Sequence, residues 1–348
     1  MRRAQLDVQF NWIFVLIAGA VILALFFKVA NTQRQLSEDK AAISLQNNFD
    51  AEATSALQSK GTIQAISMPT LGLHFDCTDC TCVIKFGRFS VPFDDRSIFT
   101  PNMVDGANAQ LWTLDWKAPF RVTNTLYITN DLVKYYFVGA GALEDHIQSQ
   151  LPAQVNAEFI ADTSKIIPQN ENRVVIVFVD GNPSQIDRSI PSRFGRKTDV
   201  HGLSIDSTTN TVTFYKSAKG KFVDDGTQGY FGDPLLFGAI MAQDNEAYTC
   251  NVRTSLIRLQ GVAMTYMTRA NELSNTEGAI CGGSDIYTAI TKIDPDHPGP
   301  LQSIITFAKD AVDSGTTGSY DFKPLQNAGA TLESQNEQLL RKSCPTVY

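Results

Sequence analysis

The residues best equipped for chemistry lie between positions 74 and 82. His74-Phe75-Asp76-Cys77-Thr78-Asp79-Cys80-Thr81-Cys82 places one imidazole and three thiols within nine residues. Cys-x-x-Cys is a zinc half-site, so His74, Cys77, Cys80 and Cys82 form a candidate metal set. The same thiols, if oxidised, are half of a disulfide framework completed by Cys250, Cys281 and Cys344. A thioredoxin-like motif needs a helix opening at its first cysteine, and these Thr-rich, strand-like surroundings do not supply one. Outside a cell, oxidising conditions disfavour free thiolates, so disulfides are expected and the metal set stands as the alternative.

Six cysteines allow fifteen pairings. Each group of three is odd, so full oxidation requires at least one bridge from the front of the chain to the back. Residues 245–274 read as one helix, which puts Cys250 about 36 Å from its end. The seven residues to Cys281 reach back only about 24 Å, which disfavours Cys250–Cys281. A last helix lying antiparallel to 245–274 would pair Cys344 with Cys250 and leave Cys281 for the front cluster.

Asp180 is the second candidate. It directly follows Arg173-Val-Val-Ile-Val-Phe-Val179, a continuous apolar run typical of a strand buried on both faces. Open α/β sheets place functional carboxylates at that end. Asp187 and Asp199 follow in a polar stretch with Arg188, Arg193 and Arg196, so an anion or metal site there is one reading and a solvated loop the other. His74, His146, His201 and His297 are scattered, without His-x-x-x-His spacing, and no Gly-x-Ser-x-Gly or Gly-Lys-Ser/Thr motif occurs. Asp94-Asp95 and Asp224-Asp225 do not fit a calcium loop. Phe86, Phe89, Phe93 and Phe99 read as core. No catalytic residue stands out, no cofactor is called for, and the sequence favours a non-enzymatic role.

These residues need elements to hold them. Residues 62–138 read as β, with runs at 83–91, 110–116, 121–128 and 134–138 between turn residues. Leu111 and Thr113 alternate with Trp112 and Leu114. A short helix is expected at 141–151 and a strand at 157–160. A hairpin over 203–205 and 211–215 turns at Thr208-Thr209-Asn210. Helices follow at 233–243, opened by Asp233-Pro234, and at 245–274, 301–313 and 325–342. The expected fold is α+β: a long N-terminal membrane helix, then a β-rich region and an α/β helical region forming an exported head. The expected divisions are 1–27 (leader and transmembrane helix), 28–61 (extended amphipathic helix), 62–151 (β-rich domain) and 152–348 (α/β domain with C-terminal helices).

The head is tethered by the most apolar part of the chain. Phe10 to Phe27 carries no charge, and the gap from Asp7 to Lys28 spans roughly 30 Å as a helix, the thickness of a hydrocarbon core. A cleaved signal would end in a small-x-small site; Lys28-Val29-Ala30-Asn31 is not one, so the helix is expected to be retained. Arg2 and Arg3 favour a cytoplasmic N terminus, Lys28, Arg34 and Lys40 on the other flank offset that bias, and the cysteines, read as disulfides, put residues 28–348 outside the cell. Beyond the membrane, Val29, Leu36 and Ile43 recur every seven residues, and Leu45, Phe49, Ala53 and Leu57 every four. That stripe suits packing on the chain's own head, with a stop at Lys60-Gly61. The chain carries 29 Lys and Arg against 36 Asp and Glu, a net charge of −7. That balance does not suggest nucleic acid as a partner. Asn182-Pro183-Ser184 is blocked as a glycosylation site by its proline.

Arg3-Ala4 followed by Gln5-Leu6-Asp7-Val8-Gln9-Phe10 resembles the class III leader of archaeal type IV pilin-like proteins. The resemblance covers about thirty residues and implies cleavage between Ala4 and Gln5, ahead of the apolar helix. It also implies assembly with like subunits through that helix, with Gln9 at the position where family members carry Gln or Glu. Asp7 departs from the small hydroxyl residue common at its position, and the head is large for a major pilin. The resemblance implies a membrane-anchored surface protein with a structural, adhesion or assembly role, whose partners are membrane lipid and pilin-like subunits. The alternative is a signal-anchored exported enzyme or ligand-binding protein with a site near Asp180.

Overall fold

The computed structural model describes residues 3–59, 61–68, 72–93, 95–168, 171–181, 186–314 and 319–348. Lys60, Asp94 and Asn182-Pro183-Ser184 therefore lie outside the described residues. The fold is α+β, with one long helix leading into a head of three sheets and a helical layer.

Helix α1 runs unbroken over Arg3–Gln58, 56 residues, or about 84 Å. It contains a stretch long and apolar enough to cross a membrane, and none of that stretch is buried against the head. Lower down, the helix changes character. Ala42, Leu45, Phe49, Ala53 and Ala56 are buried, at steps of three and four that keep them on one face. Three of the five are alanines, which let the helix axis approach the sheets closely. Val29, Leu36 and Ile43 stay exposed, so the expected contact with the head begins only at Ala42. The helix stops at Gln58, and Gly61 takes a positive φ of 64°.

The first strands build two four-stranded sheets. One orders β1 (Ile63–Ser67), β7 (Asn108–Lys117), β8 (Arg121–Thr129) and β5 (Ile98–Phe99). The other orders β4 (Phe89–Pro92), β3 (Thr81–Phe86), β2 (Leu73–Thr78) and β6 (Met103–Val104). The run read as 83–91 is thus two strands, broken where Gly87 turns at φ 59°. The alternation expected in β7 is present. Leu111 faces a core shared with α1, and Trp112 and Trp116 face a second core under the helices.

The third sheet has six strands, ordered β10 (Ala157–Ile160), β9 (Val133–Val138), β11 (Arg173–Val179), β12 (Asp199–Asp206), β13 (Thr211–Ala218) and β14 (Lys221–Gly229). The first four are parallel and the last two antiparallel. Because β9 belongs to this sheet, a division at residue 151 cuts through its strand pairing. The expected split between 62–151 and 152–348 is therefore not a structural boundary.

Helices α2 (Ala142–Gln150), α3 (Gly232–Met241) and α4 (Asn245–Asn275) follow, then α5 (Glu277–Cys281), α6 (Ser284–Thr291), α7 (Pro300–Asp313) and α8 (Lys323–Arg341). Asp244 caps α4 by accepting from the Ala247 N–H at 2.9 Å. Asp233 does not cap α3; that helix opens at Gly232, and the Asp233 carboxylate meets His146 Nε2 at 2.9 Å instead.

Candidate functional site

The cysteines pair as Cys77–Cys82, Cys80–Cys250 and Cys281–Cys344, and none is free. Cys77 and Cys82 face each other across the β2–β3 hairpin. Cys80 sits at its tip, where Asp79 and Cys80 both take positive φ (49° and 57°), and is bonded to α4. The Asp79 N–H adds a hydrogen bond to Glu246 at 3.0 Å. The required front-to-back bridge therefore exists, but it is Cys80–Cys250 and not one through Cys281. The expected Cys250–Cys344 pair is wrong because of helix direction. Arg253 near the start of α4 meets the Val312 carbonyl at the end of α7, so those helices are antiparallel. Helix α8 reverses again and runs with α4, which brings the chain end to Arg269 and Cys344 to Cys281.

The metal alternative fails for the same reason. All three of its thiols are consumed in disulfides, and His74 is exposed on β2. Among the described residues, no group of three or more His, Cys, Asp or Glu is arranged to hold a metal. Asp224 pairs with Arg188, and Asp225 with Lys216 and the Asn245 N–H, while Asp94 lies outside the described residues. Ala4, Gln5 and Gln9 lie in the first turns of α1.

Asp180 does stand at the carboxyl end of β11. The order β10-β9-β11 puts a switch in connection direction between β9 and β11, where such sheets form a crevice. Asp180 takes φ 50°, donates its N–H to Ile205 O at 2.9 Å and accepts from the Ser207 N–H at 2.8 Å. Across the crevice, Gly139 lies so close to Val179 O that a Cβ would come within 2.7 Å of it. Burial, reinforced by Asp180, Asp206 and Asp233, pushes the Tyr230 phenol up to about 12. The structure does not bring Asp199 to this end of the sheet. Asp187 is closed on Ser189 and Arg193, the latter at 2.7 Å. Asp199 opens β12, whose length sets it roughly 23 Å from Asp206 beside Asp180.

Asp199 instead belongs to a cavity at the opposite, amino edge of the sheet, of about 490 Å³. Arg173, only 4% exposed, is its central group. Its Nη1 donates to Asn102 Oδ1 at 2.9 Å and to Asp199 Oδ2 at 3.0 Å, and its Nη2 to Gln243 O at 3.2 Å. Asp199 Oδ1 meets His201 Nε2 at 2.8 Å. Burial works against ionisation of Asp199, but the His201 hydrogen bond and the Arg173 charge outweigh it and hold its pKa below the usual value. Burial and Arg173 also push His201 down, against the pull of Asp199, so its imidazole is neutral at pH 7. The sequence held one signal of this cluster, namely a charged residue opening a strand that is buried at every position. Comparison with the models of known protein families, with curated proteins and with solved structures gives no match for this chain.

Proposed function

We propose that this is a membrane-anchored, pilin-like surface protein, with its N terminus in the cytoplasm and its disulfide-bonded head outside the cell. Its role is structural, in adhesion or assembly. The observation that carries the reading is the division of labour along α1. One helix is bare and apolar where a bilayer would surround it and is core of the head from Ala42 onward. A helix continuous across that change holds the head at a fixed distance and orientation from the lipid. Two ion pairs fix the lower half further, Arg88 to Asp39 and Arg96 to Asp50. The exposed Val29, Leu36 and Ile43 form a seven-residue stripe that the head leaves uncovered, which suits contact with a neighbouring helix. Three disulfides fit an oxidising exterior.

Mass spectrometry of the N terminus of the mature protein tests the processing route. A start at Gln5 is expected. A start at Met1 or Arg2 would leave a plain anchor, and a start beyond Phe27 would remove the anchor from the reading altogether.

A further inference from the structure

We propose that the cavity at the amino edge of the six-stranded sheet, between Asn102–Asp105 and the starts of β11 and β12, binds a neutral polyhydroxylated ligand of the saccharide class. This goes beyond the anchoring role and does not depend on it.

The cavity, about 490 Å³, falls in the size range of small-molecule sites, and it lies where β6 and the end of β8 meet the amino edge of the six-stranded sheet. Its walls are held before any ligand arrives. Arg173 ties Asn102 on one wall to Asp199 on the other. Asn130 ties the Asp105 carbonyl to the Leu132 N–H. A cavity whose walls are already tied together by hydrogen bonds loses little freedom on binding.

The groups left over define the ligand. Asn172, Asn102, Asp105 and Lys197 line the cavity, and the Asn172 amide, the Asn102 Nδ2, the Asp105 carboxylate and the Lys197 ammonium make no hydrogen bond or ion pair among the described residues. Together they offer both donors and acceptors. Formal charge cancels, with Arg173 and Lys197 set against Asp105 and Asp199. An anion gains from two of these groups and loses to the other two, and a cation fares the same. Hydroxyl groups, which donate and accept at once, can satisfy all of them. Met103 and Leu132 add an apolar wall for the C–H face of a sugar ring.

The test uses the full chain in lipid nanodiscs, which avoids glycoside detergents. Maltotriose, chitotriose and mannotriose are titrated, with inorganic phosphate and spermidine as charged probes, and binding is read by saturation-transfer NMR and calorimetry. At least one trisaccharide is expected to bind. Asn172→Ala and Asp105→Ala are each expected to weaken it about tenfold, the loss of roughly one good hydrogen bond, without a change in melting temperature. Asn172 is exposed, so its truncation spares the fold. The proposal is overturned if no trisaccharide binds at about 10 mM, if both variants bind like the parent, or if phosphate or spermidine binds in preference.

Discussion

Removing the three disulfides one at a time should rank them by the chain they enclose. The bridges span sequence separations of 170, 63 and 5 for Cys80–Cys250, Cys281–Cys344 and Cys77–Cys82. A cross-link stabilises mainly by narrowing the unfolded ensemble, with an entropy that grows as the logarithm of loop length. Those separations correspond to about 5, about 4 and about 2 kcal/mol. Each pair is replaced by alanine, because Cys82, Cys250 and Cys344 are buried and serine would bury a hydroxyl. Urea unfolding of the full chain in mild detergent, followed through the buried Trp112 and Trp116, gives the three losses. The Cys80–Cys250 variant should lose about 3 kcal/mol more than the Cys77–Cys82 variant. Equal losses would refute the loop-entropy reasoning. Recovery of a Cys250 peptide linked to Cys344 by non-reducing peptide mapping would refute the pairing itself.

Phe49 sits on α1 with its ring edge-on to Phe86 at 5.9 Å and to Phe75 at 6.3 Å. Phe49→Ala should cost about 3–5 kcal/mol in the same unfolding assay, and a loss under about 1 kcal/mol would mean that the stalk is not part of the core. His201 makes stability depend on pH. Its folded pKa lies below the unfolded value of 6.5, so below pH 6.5 the unfolded chain binds the extra proton first and stability falls as pH drops toward the folded pKa. His201→Gln should flatten that slope, while the loss from Asp199, lowered from 3.8, appears only in more acidic solution; an unchanged slope in the variant would remove His201 as the cause.

Much of the fold was legible because its signals are local. Arg173–Val179 is a β-branched run with clear ends, and α4 begins beside a capping aspartate. Strand β14 was missed because Asp224-Asp225-Gly226 breaks any apolar alternation; its partner β13 is irregular between Phe214 and Tyr215. Helices α5 and α6 were missed because Gly282-Gly283 interrupts them. The larger errors concern pairing at a distance. Nothing local to residues 133–138 says that they will lie between β10 and β11, and so the division at 151 was misplaced. The disulfide error came from direction: α7 intervenes between α4 and α8, and each reversal changes which ends meet. The cavity around Arg173 draws its walls from residues near 102, 130, 172 and 199, a set that only the folded chain assembles.

That distribution of contacts argues that α1 and the head are one cooperative unit. Sheet β1-β7-β8-β5 is covered on both faces along its central strands β7 and β8, and only its edge at β1 is open to solvent. Leu111, Leu126 and Ile128 point into the core with Phe49 and Ala53, and Trp112, Trp116 and Tyr127 point into the core with Leu235 and Phe237. Removing α1 would uncover the first set and leave a β-sheet with an apolar face in water. The Asn124 amide would also lose the Leu57 carbonyl that it now reaches at 2.8 Å. Cys250 lies in the same core as Phe49, so the bridge that clamps the β2–β3 hairpin to α4 rests on packing that α1 supplies. The segment that continues the apolar part of α1 is therefore also the segment that completes the head.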